Sequence, residues 1–136
     1  VDKQDSLALR VQANYPGACI VHRLDMATSG LFMMALHAQA QSALSRLFQE
    51  RQIHKTYMAI VAGQVVPLIG QVDLPLMADW PQRPRQKVDY CLGKQALTDY
   101  QVLYYDAEQD RSRIQLQPLT GRSHQESLLL VLSTCR

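Results

Sequence analysis

The sequence predicts an α+β fold: a largely antiparallel sheet with helices packed on a face. Three features carry this expectation. One stretch of clean helical periodicity lies early in the chain, the second half reads as strands joined by hairpin-like loops, and the order is helix, strand, helix, then mainly strands. With 136 residues, 47% apolar and 19% charged, the chain reads as one globular domain with a core of its own.

Taken in order, Asp5 reads as the N-cap of a first helix over residues 6–14, which Pro16-Gly17 ends. The run LFMMAL at 31–36 reads as a strand buried on both faces. Ala40, Ala43, Leu44, Leu47 and Phe48 then recur at helical spacing, with Arg46, Glu50 and Arg51 off the stripe. TYMAIVA at 56–62 reads as a strand that Gly63 closes. A short GQVDLPL segment leads into ADWPQRPRQK, whose prolines predict a loop. Two further strands are expected at 97–105 and 112–117, with the polar DAEQD as their hairpin loop. In the second of these, Ile114 and Leu116 fall on one face, and Arg113, Gln115 and Gln117 on the other.

Several function classes drop out early. The sequence has no internal repeat and no apolar run long enough for a membrane span, so no membrane partner is expected. Cys19, Cys91 and Cys135 form no CxxC pair, which suits free thiols in a reducing cytosol and a cytoplasmic protein. The net charge of +2 permits a nucleic-acid partner without arguing for one.

Four stretches could carry chemistry. HRLDMATSG at 22–30 sets His22, Arg23 and Asp25 within four residues. A carboxylate beside a guanidinium is available as a nucleophile or base, and the same pattern suits a loop aspartate in a plain ion pair. His22 and Asp25 lack a third ligand for a metal site, and Ser29 lacks the GxSxG setting of a nucleophilic serine. Tyr57, in HKTYMAIVAG, starts a strand and offers a ring for stacking, or is a simple strand-edge tyrosine. WPQRPRQK places Arg83, Arg85 and Lys87 near Trp80, a combination that suits an RNA loop or a solvated basic turn. TGRSHQ at 120–125 gathers Arg122, His124 and Gln125 for polar recognition.

In this order, HRLDMATSG, HKTYMAIVAG and TGRSHQ resemble the pseudouridine synthases of the ribosomal large subunit synthase A superfamily, from near residue 1 to Gln125. LPLMADWPQRPRQKVDY and GKQALTDYQV bring the chain close to the dual-specificity members, which act on both a ribosomal RNA loop and a tRNA anticodon stem-loop. The resemblance implies isomerisation of uridine to pseudouridine in rRNA and tRNA stem-loops, with no cofactor and no metal. It implies Asp25 as the nucleophile, Arg23 as the group that helps displace the target base, and Tyr57 as the ring that stacks on the uracil and takes part in proton removal from carbon 5. Arg122 and His124 are then substrate-binding residues, and Arg83, Arg85 and Lys87 contact RNA.

Two departures from the family pattern shape the expectation. The NKPxG-like stretch that precedes HRLD in the family does not appear before it here, and Gln125 is followed by ESLLLVLSTCR. Ser127 stands where the family places the arginine that pairs with the catalytic aspartate. The chain therefore resembles the middle of a synthase: a partial catalytic domain over 1–136, incomplete at both ends and expected as a monomer. Its alternative reading is a catalytically impaired remnant that still binds RNA.

Overall fold

The computed structural model describes residues 5–25, 28–82 and 85–121. It has the α+β character expected, and its residues group into two compact units, 1–53 and 54–136.

The first unit holds helix α1 (Leu7–Asn14), the short strands β1 (Cys19–Ile20) and β2 (Met34–Ala35), and helix α2 (Ala38–Gln49). Ser6, not Asp5, caps α1: its hydroxyl accepts from the Leu9 N–H at 3.3 Å. Asp5 instead pairs with the guanidinium of Arg10 through both carboxylate oxygens. That pairing, above all the hydrogen bond from Arg10, holds its carboxyl below the usual carboxylate range. A carboxylate within reach of a guanidinium gains more there than at a backbone amide, so the neighbouring hydroxyl takes the cap.

The run 31–36 is not a strand buried on both faces. Only Met34 and Ala35 pair, with Ile20 and Cys19 of β1, and Leu31 is 97% exposed. Apolar content alone does not make a ladder, and β1 offers just two residues to pair with. Helix α2 forms where its periodicity predicts it, capped by His37, whose Nδ1 accepts from the Ala40 N–H at 3.2 Å. Its inner face differs from the expected stripe: Ala43 is exposed, and Gln41 and Ser45 sit half-buried with Ala40, Leu44, Leu47 and Phe48.

The second unit is a five-stranded antiparallel sheet in the order β3-β7-β6-β4-β5. Its strands are β3 (Tyr57–Ala62), β4 (Ile69–Ala78), β5 (Gln86–Val88), β6 (Lys94–Asp106) and β7 (Arg111–Pro118). β3, β6 and β7 match the expected strands. Gly63 ends β3 with φ +79, a conformation that glycine adopts without strain. Val61, Ile114 and Leu116 form the buried cluster, with Tyr57, Ala59, Val65, Tyr100 and Val102 packed against it. The alternation of β7 thus reads as expected: Ile114 and Leu116 inward, Arg113 and Gln117 outward.

The largest addition is β4, a ten-residue strand where the sequence showed only a short segment. It pairs with β6 along its length and with β5 at its end. Pro75 is tolerated because its carbonyl accepts from the Asp89 N–H at 2.9 Å, just past the end of β5. The N and C=O of one residue point to the same edge of a strand. The missing proline donor therefore faces that side and removes no hydrogen bond to β6. The ADWPQRPRQK stretch is likewise only partly loop. Trp80–Gln82 form a 3₁₀ turn, and Gln86 and Lys87 belong to β5, opposite Ala78 and Met77.

Candidate active site

In the first unit, the HRLDMATSG loop starts two residues after β1 and runs towards β2. The Asp25 carbonyl accepts from the Thr28 N–H at 2.9 Å. Gly30, with φ +149, lets the backbone leave the loop through a conformation that L side chains rarely adopt. Arg23 and Asp25 come together, with Nη2 3.8 Å from Oδ1. Their environments differ. The Asp25 side chain is 17% exposed and that of Arg23 80%. At that separation the contact is electrostatic rather than a hydrogen bond, so the guanidinium stays near the carboxylate without being locked to it.

His22 is engaged within its own unit. Its Nε2 accepts from the Met33 N–H at 2.9 Å, and its ring stacks on Phe48 with centroids 4.9 Å apart and planes 21° from parallel. Among the described residues, no three His, Cys, Asp or Glu side chains group as a metal site.

In the second unit, Tyr57 is the first residue of β3, opposite Leu116 of β7, partly exposed and packed against the core cluster. The next turn of chain after β7 is fastened to β6. The Thr120 hydroxyl accepts from the Leu97 N–H at 2.9 Å, and the Leu119 N–H donates to the Leu97 carbonyl at 2.9 Å. Thr120 is buried. It therefore fixes where TGRSHQ leaves the sheet, a role that sequence reasoning missed although a threonine just before a glycine at a strand end is a visible cue. Lys55 joins this end as well, with Nζ 3.7 Å from the place a Cβ on Gly121 would occupy. HKTY and the start of TGRSHQ thus meet at one end of the sheet. Arg122, His124 and Ser127 lie outside the described residues.

The basic loop is only partly available for ligands. Arg85 closes the loop on itself: its backbone N–H donates to the Gln82 carbonyl at 3.0 Å and its Nη1 to Gln82 Oε1 at 2.9 Å. Lys87 stands on β5 with Nζ 3.8 Å from Asp89 Oδ2 and half of its side chain exposed. Asp89 is held below the usual carboxylate range by the Leu92 and Cys91 N–H groups, with Lys87 adding to the effect. Trp80 is 67% exposed beside them in the sequence. Arg83 lies outside the described residues.

The sequence pattern of the family described as "RNA pseudouridylate synthase" matches residues 1–128. The chain belongs to this family. Its relatives include the dual-specificity RNA pseudouridine synthase RluA of Escherichia coli K12, 51% identical over 124 residues, covering 91% of this chain and 56% of that protein. RluA of Vibrio parahaemolyticus is 46% identical over 127 residues, covering 91% of this chain and 51% of that protein. The fold agrees. Human RNA pseudouridylate synthase domain containing 1 superposes with a TM-score of 0.73 at 29% identity, covering 86% of this chain and 51% of that one. Human RNA pseudouridylate synthase domain containing 4 gives 0.72 at 26% identity, covering 94% and 52%. The chain spans about half the length of the curated relatives it matches. No helix among the described residues is long and apolar enough to cross a membrane.

Proposed function

We propose that the chain carries the catalytic centre of an RNA pseudouridine synthase that isomerises uridines in rRNA and tRNA stem-loops, with Asp25 as nucleophile. The observation that supports this most is the contrast within HRLD: a mostly covered carboxylate and, 3.8 Å away, a guanidinium left largely in solvent. A nucleophile gains from a drier setting, and a group that reaches into a stem-loop must be accessible.

In this reading Arg23 helps displace the target nucleotide from its stack, at the cost of unstacking it. Asp25 attacks the sugar or the base of the extruded uridine. The glycosidic bond to nitrogen 1 breaks, the uracil turns while held, and carbon 5 forms the new bond to the sugar, while the bond to Asp25 breaks and frees the carboxylate. Carbon 5 then loses its proton and nitrogen 1 takes one up, with the Tyr57 hydroxyl taking part in the removal while the ring stacks on the uracil. Arg122 and His124 bind the substrate, and Arg83, Arg85 and Lys87 neutralise phosphates. The reaction is an isomerisation, so atoms balance without an external oxidant or co-substrate, and no cofactor or metal is assigned. Residues 1–136 act as part of one catalytic domain in a monomeric, cytoplasmic enzyme.

The test is tritium release from a tRNA anticodon stem-loop labelled at carbon 5 of its uridines. Release that tracks protein concentration supports the proposal. Stem-loop binding without release makes the chain an RNA-binding module instead.

A further inference from the structure

His22 has no role in the chemistry above, yet its side chain is held by three contacts. Its ring stacks on Phe48 of α2 and tilts against Phe32, with centroids 4.9 Å apart at 41°. Its Nε2 accepts from the Met33 N–H, eleven residues further along. An imidazole nitrogen that accepts a hydrogen bond carries no proton, so this contact selects the neutral ring with its proton on Nδ1.

The consequence is geometric. Residue 22 opens the loop and residue 33 closes it, so one side-chain hydrogen bond ties the two ends together around Arg23 and Asp25. The stem is gripped from two more directions. Gln41 Nε2 of α2 donates to the Ile20 carbonyl at 2.8 Å, and Gln12 Nε2 of α1 donates to the Ala18 carbonyl at 2.8 Å. Alternate residues 18, 20 and 22 are therefore held in turn by Gln12 of α1, by Gln41 of α2, and by the Met33 N–H together with Phe48 of α2. β1 and β2 pair over only two residues, so their backbone ladder cannot supply that rigidity.

We infer that His22 is a positioning residue: as a neutral acceptor from the Met33 N–H it closes the loop and fixes where Arg23 and Asp25 stand. This rests on the reading of Asp25 as nucleophile. Packing alone would need only an aromatic ring at position 22. Positioning needs the acceptor as well, and the two demands separate by substitution.

His22→Phe keeps the ring against Phe48 and removes the acceptor. His22→Gln gives up the ring and offers an amide oxygen at about the reach of Nε2. Both are made in the complete protein that carries these residues, with Asp25→Asn alongside. Single-turnover rates at saturating stem-loop and stem-loop Kd are measured for each. His22→Phe should lose about 10- to 100-fold in rate, the range expected for a small misplacement of a reacting group, with Kd changed by less than about twofold. His22→Gln should recover most of that rate. A phenylalanine variant within about twofold of the parent, or a glutamine variant as slow as the phenylalanine one, overturns the inference. Should either variant fail to fold, the ¹⁵N shifts of the His22 imidazole in the unaltered protein decide: an unprotonated Nε2 supports the inference, and a protonated Nε2 overturns it. Asp25→Asn keeps the two claims apart. If it turns over, the nucleophile reading fails; if it is inactive while His22→Phe is fast, only the positioning role fails.

Discussion

Each of the two units is held internally by its own means. In the sheet of residues 54–136, long ladders and the Val61–Ile114–Leu116 cluster do the holding, and the buried hydroxyls of Ser112 and Thr120 serve the backbone. Ser112, fully buried, accepts from the Val65 N–H at 3.2 Å and donates to the Gly63 carbonyl at 2.7 Å, fastening the turn after β3. Among the described residues of 1–53 the buried hydrophobics are two alanines, Ala18 and Ala35, and two helices meet a pair of two-residue strands. There the loop is kept by side chains that reach for backbone: Gln12, Gln41 and His22. A ladder keeps its register when one side chain is lost, even at a cost in stability, because its pairing is spread over many backbone bonds. A loop pinned by single side chains does not. Substitutions in the buried cluster of the sheet should therefore register first as lost stability, and substitutions around HRLD first as lost rate.

Three variants would break or sharpen that contrast, beginning with the largest effect. Ile114→Ala empties a position that is 3% exposed in the middle of the cluster. It should destabilise the second unit by about 2–5 kcal/mol, read by denaturant unfolding. A loss under about 1 kcal/mol would mean that the cluster is not what holds the sheet. Tyr57→Phe keeps the ring against the core and removes the hydroxyl. Stem-loop Kd should hold, while turnover falls by about tenfold or more, equivalent to about 1.4 kcal/mol of barrier. Unchanged turnover would leave the hydroxyl without a part in the chemistry. Replacing Arg83, Arg85 and Lys87 by alanine should do least to folding. Each lost phosphate contact should lower the slope of log Kd against log salt by roughly 0.7 to 0.9. An unchanged slope would make Arg85 a loop-closing residue for Gln82, and Lys87 merely the partner of Asp89.

What the sequence made legible follows the same division. Helix α2 was readable because its apolar spacing is local, and the β6–β7 hairpin because alternation and a polar turn are local too. Asp106 accepts from the Glu108 and Gln109 N–H groups at 3.0 and 3.1 Å, as a turn aspartate does. β4 was hidden by Gly70 and Pro75, both poor strand residues. The reasons they fit are tertiary. A Cβ on Gly70 would stand 2.7 Å from the Tyr100 hydroxyl, so the glycine leaves room for that ring, and Pro75 turns its missing donor away from β6. The run 31–36 misled for the opposite reason: its apolar residues promise burial, yet pairing depends on what β1 can offer.

At the site, the short spacing of Arg23 and Asp25 was visible in the sequence, because residues two apart cannot lie far from one another. The grip on their loop was not. His22 meets Met33 across 11 residues and Gln41 meets Ile20 across 21, and no local pattern encodes either contact. Thr120 was passed over for the charged residues that follow it, although its hydroxyl is bonded to β6.

The central claim is that Asp25 is the nucleophile, and Asp25→Asn tests it most directly. The amide keeps the size and shape of the side chain but cannot attack. Tritium release from a stem-loop labelled at carbon 5 should be abolished, with stem-loop affinity within about twofold of the parent. Release within about tenfold of the parent, equivalent to about 1.4 kcal/mol of barrier, would contradict the account and remove Asp25 from the role.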